Sequence, residues 1–404
     1  MQTRIHADFA ELPGISAADA ILRSCVHCGF CNATCPTYLE LGDERDGPRG
    51  RIYLIKQLLE GSEVTQQTQL HLDRCLTCRS CETTCPSGVQ YGKLADFGRG
   101  IIETKIARPW RARMLRRLLR LIVPYRARFA AVLGIGRVLR PLLPTALGRK
   151  IPGKQASGAR PRRKHARVML VLEGCAQAAA TPKTNAATAR VLDGLGIELT
   201  AAPAAGCCGA LSYHLGEHAE GLQFMRRNID AWWPMIEQGA EAIVMTASGC
   251  GVTVKDYGEL LQHDPDYAEK AARVAELSKD LSEILINEDL SAIHAPSANG
   301  KVAVHCPCTL QHGQRLEGVV EQILHAAGIE LADTSEPHLC CGSAGSYSIL
   351  QPELSATLKA NKLGALTRDH PAVIVTANIG CQLHLQTDAE IPVRHWIELL
   401  DRVV

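Results

Sequence analysis

Eight cysteines fall into two runs that share one spacing, and no other feature constrains the chain as tightly. "CVHCGFCNATCP" occupies residues 25–36 and "CLTCRSCETTCP" residues 75–86, both reading C-x2-C-x2-C-x3-C-P. Three thiolates at this spacing wrap a turn around one iron–sulfur cube, and the fourth leaves on the next stretch of chain to ligate another. The crossing predicts two [4Fe–4S] clusters. One sits on Cys25, Cys28, Cys31 and Cys85, the other on Cys75, Cys78, Cys81 and Cys35. Pro36 and Pro86 turn the chain away from the metal after each fourth ligand. Zinc also takes four thiolates, but its sites read as two C-x2-C pairs with a spacer, not as four cysteines in one run.

The stretch between the runs, residues 37–74, is longer than a compact ferredoxin needs. Within it "RGRIYLIKQLLEG" places Ile52, Ile55, Leu58 and Leu59 at helical spacing and ends at Gly61. Residues 1–103 are therefore expected to form a mainly helical two-cluster ferredoxin-like domain, similar to that of the iron–sulfur subunit of succinate dehydrogenase. Such a domain moves electrons and transforms no substrate, so no catalytic residue is assigned. A total of 17 cysteines, an odd number in a 404-residue chain, fits ligands in a reducing cytoplasm better than a secreted disulfide framework. The N-terminal "MQTRIHADFAELPG" lacks a basic start followed by an apolar run, so no secretory signal is expected. No window offers the roughly 18 uncharged apolar residues of a membrane span.

The net charge of +2 conceals an asymmetry. From Thr104 to Leu172 there are 19 Lys and Arg and no Asp or Glu, which leaves the rest of the chain at −17. Residues 104–165 are expected to form a basic helical bridge and linker. "RPWRARMLRRLLRLIVPYRARF" sets Arg113, Arg116, Arg117 and Arg120 on one helical face, with Met114, Leu115, Leu118, Leu121 and Ile122 opposite, and Pro124 should end or kink the helix. A second apolar-basic stretch sets Phe129, Val132, Leu133 and Leu139 beside Arg126, Arg137 and Arg140. A helix of this kind suits an anionic membrane surface, the protein's own acidic domains, or an acidic partner subunit. Aromatics at 4% and the absence of a nucleic-acid-binding motif argue against nucleic acid. The stretch "GRKIPGKQASGARPRRKH" reads as a flexible linker.

The remaining nine cysteines also repeat. "RVMLVLEGC" ends at Cys175, "AAGCCGALSYH" carries Cys207 and Cys208, and "EAIVMTASGCG" carries Cys250. The series recurs as "KVAVHCPC" ending at Cys308, "HLCCGSAGSY" with Cys340 and Cys341, and "PAVIVTANIGC" ending at Cys381. Cys175 to Cys207 and Cys308 to Cys340 both span 32 positions; Cys207 to Cys250 spans 43 and Cys340 to Cys381 spans 41. This predicts a duplicated α/β unit, residues 166–290 and 291–404, with cysteines at strand ends, where ligand sites of open parallel sheets collect. "GVVEQILHAAGIEL" fits a crossover helix. Glycine after each cysteine pair supplies the freedom for a tight turn, so each unit holds a further metal or cluster, the two share one, or the thiols merely line a buried seam. Cys306 has no counterpart and reads as a fifth ligand or a small core residue. His305, His312, His338 and His384 lie near the second unit's cysteines and are assigned no catalytic role. "GIGR" at 134 lies in the bridge and is no nucleotide loop, so no flavin is expected on this chain.

With both repeats placed, the chain resembles the iron–sulfur subunits of bacterial, membrane-linked glycolate oxidase. The runs above, "GDERDGPRGRIYL", "HCPCTLQHGQ", "CCGSAGSYS" and "NIGCQLHL" carry the resemblance. The order of elements is similar, more widely, to subunits of anaerobic glycerol-3-phosphate dehydrogenase, lactate-utilisation systems and heterodisulfide reductase. The resemblance implies one or two further, non-cubane clusters on Cys175, Cys207, Cys208 and Cys250, and on Cys308, Cys340, Cys341 and Cys381. It implies FAD-binding partner subunits that oxidise glycolate to glyoxylate, and a membrane acceptor, a quinone. It also implies a cytoplasmic location, peripheral on the inner membrane. The alternatives are a related lactate or glycerol-3-phosphate dehydrogenase subunit, a thiol redox enzyme like heterodisulfide reductase, and a metal-stabilised scaffold without redox role.

Overall fold

The computed structural model describes residues 1–291, 293 and 300–401. The start of the expected second unit, at 292 and 294–299, and its end at 402–404 lie outside the described residues.

Residues 1–166 hold helices and no strand. Helix Pro48–Leu59 begins on a proline, whose missing N–H needs no partner there, and buries Ile52, Ile55, Leu58 and Leu59 as the periodicity requires. It crosses helix Tyr91–Lys105 so closely that a side chain at Gly98 would meet Ile55 at 2.8 Å. Around this pair, Phe9, Leu22, Leu72, Leu94 and Ile102 form a core that includes Cys25, Cys75 and Cys81. The cluster-binding runs are therefore fixed to the domain's own hydrophobic centre.

The bridge forms two helices, Trp110–Ile122 and Arg126–Leu139, broken at Pro124. "GIGR" lies inside the second. The expected cationic face is divided. Arg116 reaches Asp73 at 3.0 Å, and Arg120 reaches Glu217 and Glu220 at 2.7 Å each, so these arginines turn inward. Arg113 and Arg117 remain outside, beside exposed Met114, Leu115, Leu118 and Leu121. The acidic excess of the flanking domains neutralises one part of the helix and leaves its apolar stripe uncovered. Two short helical turns follow, Arg140–Leu142 and Thr145–Gly148, and the irregular linker beyond them is pinned rather than free. Arg190 donates to the carbonyls of Ser157 and Ala159, and Arg160, Lys164 and His165 pair with Glu173, Glu198 and Asp193.

From residue 167 the chain is α/β and doubled. The strands are β1 (Arg167–Leu172), β2 (Ile197–Ala201), β3 (Ile243–Met245), β4 (Ser278–Asp280), β5 (Val302–His305), β6 (Val373–Thr376) and β7 (Val393–His395). The first sheet has order β2-β1-β3-β4 and the second β5-β6-β7, all parallel. A parallel bridge from Val302 to Leu331 adds to the second sheet the position that β2 holds in the first. Near-continuous apolar strands such as "VMLVL" and "VIVT" suit sheets covered on both faces. The two sheets pack against each other through one core containing Met169, Val244, Val304, Val375 and Trp396. Across this seam Ser248 N–H donates to Ala377 O (3.0 Å), and His395 bonds Thr246 O (2.9 Å).

Candidate iron–sulfur sites

Each tandem run folds as a loop with left-handed residues at the same two places. These are His27 (φ 59°) and Gly29 (φ 87°) in the first, and Thr77 (φ 52°) and Arg79 (φ 61°) in the second. Non-glycine residues there cost about 1–2 kcal/mol each, and such strain gathers where a ligand dictates the backbone. The first loop lines a small cavity with Cys25, Cys28, Cys31 and, from the other run, Cys85. The second lines another with Cys75, Cys78 and, from the first run, Cys35. Cys81 borders both. The fourth cysteine of each run thus lines the other run's cavity.

Burial and nearby arginines pull the thiols in opposite directions. Burial pushes the Cys31 thiol up to about 11. Burial pushes Cys75 up too, but Arg51 and Arg99 outweigh it and hold that thiol below its ordinary value. Arg51 is 1% exposed and donates to His71 O (2.7 Å) and Thr37 Oγ1 (3.0 Å), with Nη1 4.0 Å from Cys35 Sγ. Arg99 donates to the Leu72 and Cys75 carbonyls at 2.9 and 2.6 Å. Thr77 N–H points at Cys75 Sγ from 3.3 Å. Sequence reasoning missed both arginines. Arg51 has a signal: it occupies the inward face of the helix that buries Ile52 and Ile55.

In the first cysteine-rich unit, Cys175, Cys207, Cys208 and Cys250 form a row in which each thiol lies within hydrogen-bonding reach of the next. Cys308, Cys340, Cys341 and Cys381 form the same row in the second, with 3.1 Å between the last two sulfurs. Cys175 and Cys308 follow the first strand of each unit. Cys250 and Cys381 ride on helices Ser248–Lys255 and Ile379–Gln386, which follow β3 and β6. The cysteine pair turns on a left-handed glycine, Gly209 (φ 92°) or Gly342 (φ 79°). Both rows open on a cavity of about 1570 Å³ that is also bounded by Arg116, Leu119 and Val123 of the bridge.

The sites adjoin one another. Leu76, Cys340, Tyr347 and Leu358 form one buried cluster, with Cys78 and Cys308 packed on it. Thr83 bonds His312 (2.9 Å), and Asp96 bonds His214 (3.0 Å), fastening the tandem domain to both units. Cys306 lies in the core between the sheets, away from the thiols. His384 bonds Ser355 Oγ (3.0 Å), His338 is exposed, and His305 is buried against Cys341 and Cys381.

Thiols without competing oxygen ligands, converging from distant chain positions among buried arginines, fit iron–sulfur clusters. Such groups, when bound, accept and release single electrons. The 4Fe-4S dicluster domain family matches residues 21–89, and the cysteine-rich CCG domain family matches residues 169–255 and 302–386. The glycolate oxidase iron–sulfur subunit of Escherichia coli (strain K12) is 55% identical over 405 residues, covering 100% of this chain and 99% of the relative. The probable glycolate oxidase iron–sulfur subunit of Bacillus subtilis (strain 168) is 31% identical, covering 91% of this chain and 89% of the relative. Lactate utilization protein A of Bacillus velezensis is 28% identical over 53% of this chain and 91% of its own length. Similarity spanning both chains from end to end places this protein in the family of glycolate oxidase iron–sulfur subunits.

Proposed function

We propose that this chain carries electrons from a flavoprotein partner, which oxidises glycolate to glyoxylate, to a membrane quinone. Oxidation of glycolate to glyoxylate releases two electrons and two protons, and iron–sulfur sites on this chain would take the electrons one at a time. The observation that carries the reading is contiguity: Cys81 borders both tandem cavities, and Cys78 packs beside Cys308 and Cys340. The ligand sets are Cys25, Cys28, Cys31 and Cys85 for one cluster and Cys75, Cys78, Cys81 and Cys35 for the other. The two cysteine rows hold the further groups.

The end of the series toward the partner is the first loop, where Cys28 is exposed and Val26 and Phe30 stand 68% and 61% exposed beside it. Arg51, Arg99 and the inward N–H groups stabilise added negative charge. At the other end, the outward stripe of the bridge, with Arg113 and Arg117 beside it, would lie on an anionic membrane, each cation adding about 1 kcal/mol. No described helix is long and apolar enough to cross a membrane.

The test is anaerobic purification of the complex followed by glycolate addition. Reduced [4Fe–4S] EPR signals from this chain support the reading; flavin bleaching with these signals silent overturns it. Binding to anionic vesicles that falls with salt and with Leu118→Asp supports the membrane face; indifference to both removes it.

A further inference from the structure

The two cysteine-rich units share topology and thiol spacing but differ behind the thiols. Successive side chains of a strand point to opposite faces. On β5, Val302, Val304 and then Cys306 enter the core between the sheets, while Ala303 and His305 face the cysteines. His305 is 1% exposed, and neither ring nitrogen has a hydrogen-bond partner. A ring nitrogen of His305, Cys341 Sγ and Cys381 Sγ lie within 4.8 Å of one another. Leaving such a buried polar group unsatisfied costs about 1–3 kcal/mol, and a metal ion bound to the nitrogen removes that cost.

The first unit has no histidine at the matching position. Leu172 stands three positions before Cys175, as His305 stands three before Cys308, and it packs apolar against Cys208. A second difference runs the same way. Lys362 lies 22 positions after Cys340 and Ile229 lies 22 after Cys207; both are 0% exposed. Lys362 Nζ donates to Pro337 O (3.0 Å), and its charge interacts with Cys340 and Cys341.

We propose that the second cysteine-rich unit holds its iron–sulfur group with a mixed donor set, a ring nitrogen of His305 binding iron beside the thiolates of Cys341 and Cys381, whereas the first unit's set is thiolate alone. The inference rests on the reading that these units hold iron–sulfur groups. Each unit keeps four thiolates, so His305 is an added neutral donor that leaves the potential higher than an anionic thiolate at its place would. The nearby Lys362, a cation where the first unit has Ile229, raises the potential of the second unit's group. The two units are therefore inequivalent, and the second is the more oxidising.

The full-length protein, prepared anaerobically with and without 15N-imidazole-labelled histidine, is examined by pulsed EPR after stepwise reduction. A strongly coupled nitrogen that changes isotope with the label, and is lost in His305→Leu while the tandem-cluster signals persist, is the expected result. Absence of a coupled histidine nitrogen in the wild type overturns the proposal without needing any variant. Persistence of the coupling in His305→Leu also overturns it, as does an iron content equal in the wild type and in Cys340→Ala/Cys341→Ala, which shows no iron there. In His305→Cys the midpoint should fall by more than 59 mV, a tenfold change for one electron. Glycolate-driven reduction of the tandem clusters is read in the same samples. If it persists while the nitrogen signal is absent, the histidine ligand alone has failed.

Discussion

Replacing Gly209 by alanine tests whether the cysteine-pair turn depends on a missing side chain. Gly209 has φ of +92°, and a Cβ there would sit 2.7 Å from Gly221 O on the neighbouring helix His218–Glu237. The left-handed conformation costs an L-residue about 1–2 kcal/mol. Forcing an atom into a packed contact adds about 1–3 kcal/mol. The lost freedom of the unfolded glycine returns about 0.4–1 kcal/mol, so the net destabilisation is about 1–4.5 kcal/mol. Gly239→Ala is the control, since that glycine has φ of +96° and nothing within 4 Å of its would-be Cβ. It isolates the backbone term. Urea unfolding free energies of the two anaerobically purified variants should differ by about 1–3 kcal/mol, Gly209→Ala having the lower midpoint and losing iron from the first unit. Equal midpoints would refute the close approach, and two wild-type midpoints would refute the strain as well.

Other outcomes follow from particular contacts. Burial drives the pKa of His395 down to about 3 while Nε2 holds Thr246 O across the seam between units. A histidine whose folded pKa is lowered leaves stability intact above its unfolded value of about 6.5 and removes it as pH falls. The wild type should therefore lose about 2 kcal/mol between pH 8 and pH 5 that His395→Gln does not lose; parallel pH profiles would contradict this. Arg51→Met deprives buried Asp46 of one cation, though His71 and Arg74 remain at 3.0 and 2.8 Å. The expected loss is about 3 kcal/mol, with a fall in the midpoint of the cluster beside Cys35 and Cys75. Arg51→Lys should not restore either, because one ammonium cannot span the Thr37 and His71 acceptors, and full rescue would show that charge alone matters.

What was legible in the sequence follows from how local each signal is. The tandem cavities were readable because the cysteines that line them sit within two short runs, and the expected crossing follows from where each run ends. The duplicated sheets were readable because apolar strand runs end on cysteines at matched intervals. Orientation was harder. Helical periodicity separates the arginines of residues 113–120 from the leucines, but it carries no information about Asp73, Glu103, Glu217 and Glu220, which draw Arg116 and Arg120 inward. Arg51 was within reach from its place on the inward face of a buried helix, whereas Arg99 was harder to read because its closest acceptors are the backbone carbonyls of Leu72 and Cys75, which no residue type announces. The placement of Cys306 was within reach. Strand alternation separates it from His305, and the apolar Val302 and Val304 share its parity. The linker's composition suggested flexibility and gave no sign of its tethering, which needs acidic residues distant in sequence.

Crossed ligation of two cubes carries everything else, and the EPR spectrum of the dithionite-reduced Cys85→Ala protein tests it most directly. It should reproduce the spectrum of Cys28→Ala, with one cluster altered or lost and the cluster of Cys75, Cys78 and Cys81 intact. A spectrum matching Cys78→Ala instead would place Cys85 on its own run's cluster and contradict the account.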